Sequence, residues 1–174
     1  QGHVIILCDQ GIISRAEAKA ILTALRKLQA EGPEAVGRRP GLTDLFSNLE
    51  EWLIEEIGLE VGGKLHTGRS RNDMNLAIER MYTRKTLLDM CEAVSFLMDT
   101  LLRQAEVHKT TIIPGYTHHS QHAQPVTLGH FYLCAVENFA RDLDRRLAAY
   151  DHTNLSPMGG AAIATTGFPI NRER

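Results

Sequence analysis

Two stretches concentrate the residues that could do chemistry: GGKLHTGRSRND, Gly62 to Asp73, and PGYTHHSQHAQP, Pro114 to Pro125. The first crowds three glycines, a histidine, two hydroxyl side chains, two arginines, Asn72 and Asp73 into twelve positions, immediately ahead of a long helical pattern. Flexible backbone, many donors and positive charge at a helix N-terminus suit a small anion, because the unpaired N–H groups there carry partial positive charge. The second stretch sets His118, His119 and His122 beside Tyr116 and Thr117, and imidazoles move protons near neutral pH. An anion cradle joined to a proton mover would serve acid–base chemistry on a carboxylate substrate.

Each feature also has a plainer reading. The first stretch could be a glycine-rich connection solvated by its arginines, with Asn72 or Asp73 merely capping the following helix. His118 and His122 have His-x3-His spacing, which binds a metal only if helical and given a third ligand; no carboxylate or thiolate lies close by. His66, His108, His130 and His152 read as surface or helix-end residues, and Tyr116, Gln121 and Gln124 as supporting hydrogen-bonders.

The elements that must position these residues are helical. Ser14-x-x-Glu17 is a capping box, followed by Ala18, Ile21, Leu22, Leu25 and Leu28 at helical spacing, so a helix is expected from Arg15 to Ala30, closed by Gly32-Pro33. Thr43 or Asp44 can cap a second helix carrying Leu45, Leu49, Trp52, Leu53 and Ile57, stopped by Gly58. From Met74 to His108 there is neither proline nor glycine. Leu87, Met90, Val94, Leu97 and Leu101 form one apolar row, with Leu88, Cys91, Ser95, Met98 and Leu102 beside it. So wide a stripe predicts a helix buried among several neighbours, ~50 Å long at 1.5 Å per residue, as in the bundles of large oligomers. Pro114-Gly115 breaks it, and a third pattern follows from Val126 with Leu128, Phe131, Ala135, Phe139, Leu143, Leu147 and Tyr150 on one face. The tail SPMGGAAIATTGFPINRER has the small residues to open a further close-packed helix, which the sequence is expected to end too soon to form. No alternating strand pattern is visible, and the expected class is all-α.

Composition excludes several functions. With 174 residues the chain can bury a core, and 19 basic against 21 acidic side chains give a net charge of −2, which argues against a nucleic-acid partner. No apolar run is long enough to span a bilayer, so no membrane role is expected. Cys8, Cys91 and Cys134, odd in number and widely spaced, read as reduced packing residues of a cytoplasmic protein. The chain opens on Gln1 and is expected to be a piece of something longer.

Taken in order, GGKLHTGRSRND, PGYTH with AQPVTLGH, and SPMGGAAIATTGFPI resemble argininosuccinate lyase of the fumarase/aspartase superfamily, and HVIILCDQGIIS is similar to that family's N-terminal region. The resemblance implies a small helical N-terminal region, residues 1–61, followed by part of a central helical-bundle domain, residues 62–174. It implies a homotetramer with a twenty-helix core and active sites shared by three subunits. The implied reaction is β-elimination of argininosuccinate, a small dicarboxylate substrate, to fumarate and L-arginine in arginine biosynthesis, with no metal or organic cofactor. On the family's motif Arg71 and Asn72 would bind substrate, Ser70 would add a hydrogen bond, Thr117 would donate to a carboxylate and His118 would be the acid–base histidine.

Some positions depart from the family pattern. GYTHHSQHAQP has one residue more than GYTHLQxAQP, so anchoring on PGYTH selects His118 and anchoring on AQP selects His119. Met74 replaces a common Gln, and Asn171 a common Asp, which leaves the leaving amine open; lyases that release fumarate and a diamine from aminopolycarboxylates use similar motifs. The loop GSSxMPxKxNP, with the family's catalytic serine, is expected beyond Arg174, so this chain alone is expected to be inactive. A non-catalytic, crystallin-like helical oligomer and a metal-binding helical module are the alternatives.

Overall fold

A computed structural model of the chain describes residues 1–42 and 44–173. Among them six α-helices and one antiparallel strand pair follow in the order α1 (Gly2–Asp9), α2 (Arg15–Glu31), α3 (Leu45–Ile57), α4 (Leu59–Gly62), α5 (Arg71–Val107), β1 (Ile112–Thr117), β2 (Gln121–Thr127) and α6 (Leu128–Thr153). Short 3₁₀ turns lie at Pro33–Val36, Gly63–His66 and His118–Ser120. The architecture is all-α apart from the one small sheet. The residues divide into two compact units, Gln1–Ala77 with the tail from Pro157, and Ile78–Ser156.

The first unit owes its order to its caps. The Ser14 hydroxyl accepts from Glu17 N–H at 3.2 Å while Ser14 N–H donates to the Glu17 carboxylate at 2.7 Å, so α2 starts where the capping box predicts. α3 starts at Asp44, whose carboxylate accepts from Ser47 N–H at 2.7 Å, and ends at Gly58, where φ is +83°. Thr43, the other candidate cap, lies outside the described residues. Val4 and Leu7 of α1, Ile21 of α2, Trp52 and Leu53 of α3, and Leu65 close one core. Each large aliphatic side chain buried there contributes about 1.5–3 kcal/mol. Gly62 lets α4 approach α3: a Cβ at this position would meet Ile54 Cα at 3.0 Å.

In the second unit the α5 residues from Ile78 onward and α6 run antiparallel. Arg80 donates to the main-chain oxygens of His152, Thr153 and Leu155 at 3.4, 3.4 and 3.1 Å, meeting the negative end of α6 with a positive charge. The Arg84 guanidinium lies 5.7 Å from the centroid of the Tyr150 ring. At the other end Gly129 approaches α5 so closely that a Cβ would sit 2.6 Å from Ala105 O.

Three features bear on the sequence expectation, and only the first departs from it. First, β1 and β2 form a hairpin where no strand was expected, pairing Ile113 with Val126, Pro114 with Pro125, and Tyr116 with His122. Two prolines forbid helix on both arms, and the β-branched residues around them accept the extended form. The alternation is missing because nearly the whole of β2 is exposed. Second, the apolar rows of α5 and α6, expected to be covered in an oligomeric bundle, stand largely open on the single chain: Leu88, Leu97, Leu102, Phe131 and Leu147 are exposed, and Phe96 is 72% exposed. Third, the tail forms turns, with Ala161 and Thr165 in the left-handed region at φ +50° and +97°. No helix among the described residues is long and apolar enough to cross a membrane.

Candidate active site

In the first unit, Gly68 turns the chain at φ +69° and delivers Ser70 to the start of α5. Ser70 and Asp73 then cap that helix reciprocally. The Ser70 hydroxyl accepts from Asn72 N–H at 3.2 Å, and Asp73 Oδ1 accepts from Ser70 N–H at 3.0 Å. The other Asp73 oxygen accepts from Ala161 N–H at 2.8 Å, and Asn72 Nδ2 donates to Ala162 O at 3.1 Å. Asp73 is only 4% exposed, whereas Arg71 and Asn72 stand at the surface.

The arginines of this loop rest on an aromatic floor. The Phe46 ring is buried, with the Arg69 guanidinium 5.4 Å and the Arg71 guanidinium 5.6 Å from its centroid, and the His66 ring at 4.7 Å. Arg71 also pairs with Asp44 and donates to the Ser47 hydroxyl at 3.0 Å. Asp44 is held below the usual carboxylate range, chiefly by the Ser47 N–H and then by Arg71. Burial, and then the Arg69 charge, lower the His66 pKa. Arg69 Nε donates to His66 Nδ1 at 3.4 Å, a bond that needs the ring nitrogen unprotonated. The loop thus gathers Arg69 and Arg71 beside a helix N-terminus, with Asp44 and Asp73 as the acidic members of the same cluster.

In the second unit, Thr117 ends β1, and His118–Ser120 form the hairpin tip. Thr117 Oγ1 and His118 Nδ1 are hydrogen-bonded at 2.9 Å, leaving His118 Nε2 free for a reacting group. His119 and Ser120 take left-handed backbone, φ +50° and +61°. The additional residue relative to the GYTHLQxAQP pattern therefore falls in a tight exposed turn, where insertions cost least. His122 stacks on Tyr116 at 5.1 Å from across the sheet. The His118–His122 spacing does not lie on a helix, and no cluster of metal-ligating side chains forms among the described residues.

Of the residues singled out in the sequence, Ser70, Arg71 and Asn72 share the start of α5 in the first unit, while Thr117 and His118 bond each other in the second. Sequence reasoning missed the Arg71–Asp44 pair and the hold of Asp73 on Ala161. These partners are 27 and 88 positions apart, and no local spacing announces them.

The chain is similar to known proteins along nearly its whole length. The family described as Lyase matches residues 6–174. An argininosuccinate lyase of Methanocaldococcus jannaschii is 44% identical over 172 residues, covering 99% of this chain and 35% of that protein. Argininosuccinate lyase 1 of Shouchella clausii is 42% identical over 171 residues, covering 98% and 34%. An EDDS lyase variant with bound fumarate superposes with a TM-score of 0.87 at 38% identity, covering 98% of this chain and 33% of that one. The chain spans about a third of the length of the curated relatives it matches. With family, fold and motif order in agreement, this chain belongs to the lyase family of the fumarase/aspartase superfamily.

Proposed function

We propose that the protein carrying this chain is a C–N lyase that splits argininosuccinate by β-elimination into fumarate and L-arginine, a step of arginine biosynthesis. The observation that carries the reading is the 44% identity to an argininosuccinate lyase over 172 residues, 99% of this chain. A base removes the proton beside a carboxylate, the charge spreads into that carboxylate as an aci-carboxylate, the C–N bond breaks, and a proton passes to the departing nitrogen. Donors aimed in advance at the developing charge supply much of the rate in such a site.

The loop residues Ser70, Arg71 and Asn72 bind the substrate carboxylate in this reading, and Thr117 with His118 forms the acid–base pair. If His118 Nδ1–H donates to Thr117 Oγ1, the threonine hydroxyl remains free to donate to a carboxylate and Nε2 is left to exchange the proton. Residues 1–61 act as an N-terminal helical region and 62–174 as part of the bundle. The exposed apolar faces of α5 and α6 pack against other copies in a homotetramer, and the protein works in the cytoplasm.

A second reading, elimination of fumarate from a different amine, is favoured by the likeness to the EDDS lyase and by Met74 and Asn171. Substrate screening of the full protein decides between them. His118→Asn should lower turnover about 10²–10⁴-fold with an unchanged melting temperature, as expected for an acid–base group. If His119→Asn does this instead, the catalytic assignment moves one residue. If neither variant changes turnover, the acid–base role fails; if the parent itself releases no fumarate, a structural oligomer is the better account.

A further inference from the structure

Asp73 is a buried carboxylate with no part in the proposed chemistry, and both of its oxygens are committed to main-chain N–H groups. One bond closes the cap of α5 at Ser70. The other reaches Ala161, in the tail, on a turn whose left-handed backbone at Ala161 (φ +50°) is unfavourable for a residue with a Cβ. Such a conformation persists only where its surroundings enforce it. The next residue in each stretch completes the grip, since Asn72 Nδ2 donates to Ala162 O at 3.1 Å.

That second contact gives the grip its consequence. Asn72 is exposed, and an exposed carboxamide can turn over and exchange its donor end for its acceptor end. Ala162 O holds the nitrogen end in place. One N–H of Nδ2 is used on the carbonyl, and the second remains for an anionic oxygen. Ala162 O can do this only while Ala161 is held by Asp73. We propose that Asp73 is a positioning residue of the elimination: by anchoring the Ala161–Ala162 turn, it fixes which end of the Asn72 carboxamide faces the substrate carboxylate. This inference rests on the lyase reading above.

The test is a double-mutant cycle in the full-length protein, reading kcat/KM for fumarate release in wild type, Asn72→Ala, Asp73→Asn and the double variant. Each single variant should lose about tenfold to a hundredfold, the scale of a misplaced binding group. The double variant should fall no further than the worse single, because the two changes remove one shared interaction. Wild-type turnover in Asp73→Asn, or losses that multiply as for two unrelated sites, would overturn the proposal while leaving the lyase reading intact. If Asp73→Asn does not fold, amide hydrogen exchange in the wild type decides: a protected Ala161 N–H supports the anchor, and exchange as fast as at exposed Ile163 overturns it. A wild type that releases no fumarate from any N-substituted aspartate sinks the lyase reading and this inference together, a result distinct from the others.

Discussion

Arg71 already has partners: one terminal nitrogen pairs with Asp44 and the other donates to Ser47. A guanidinium has five N–H donors, so Arg71 can keep these contacts and still offer N–H groups to an anion. Asp44 therefore does two jobs, capping α3 and aiming Arg71. Asp44→Ala should cost about 0.5–2 kcal/mol through the lost cap, read as a lower melting temperature, and should raise KM in the full protein. Glu17 shows a similar doubling. Its bond to Lys64, followed by the Ser14 N–H, takes its pKa from 4.5 down to about 2. A depressed carboxylate stabilises the fold above its unfolded pKa, and that share is lost as pH falls from the mid-4 range toward 2. Glu17→Gln should accordingly be less stable than wild type near neutral pH, with urea midpoints converging as acid is added. The local half of both arrangements, the Ser14–Glu17 box and the Asp44 cap, was legible in the sequence because its partners are three positions apart. Lys64 and Arg71 were not, because only the folded packing of α2, α3 and the loop brings them in.

At the scale of elements, the helices were readable and the connections were not. α2 and α5 begin and end within a few residues of their predicted bounds, since caps, glycines and apolar spacing all point the same way. The 112–127 hairpin escaped because the signal for a strand is alternation of apolar and polar residues, and neither IIPGYT nor the largely exposed QHAQPVT has it. The two leading glycines of the site loop look equivalent in sequence and differ in structure. A Cβ on Gly62 would meet the Ile54 backbone at 3.0–3.1 Å and Leu53 C at 3.2 Å, whereas on Gly63 it would meet only Leu59 Cδ1 at 3.7 Å. Gly62→Ala should thus destabilise by about 1–3 kcal/mol through overpacking of α4 on α3. Gly63→Ala, in helical backbone at φ −62°, should be neutral or stabilise by up to ~1 kcal/mol. Thermal melts of the two variants side by side check the contrast.

At the scale of the whole molecule, the apolar faces are the main unresolved cost. Met81, Phe96 and Phe131 are more than 60% exposed, and side chains of this size are not left in water along two helices without a partner surface. The chain should self-associate, and light scattering that shows a monodisperse monomer would count against the bundle reading. The sequence revealed the breadth of this stripe but not where it is covered, because periodicity reports that a face is apolar and not which chain lies against it. The central claim is the elimination itself, and it is tested most directly by following fumarate formation from argininosuccinate with the full-length protein and its His118→Asn variant. The account predicts one fumarate per arginine released by the wild type, and turnover lower by about 10²–10⁴-fold in a variant that melts at the same temperature. Unchanged turnover in the folded variant, or no fumarate from the wild type with any N-substituted aspartate, would contradict it.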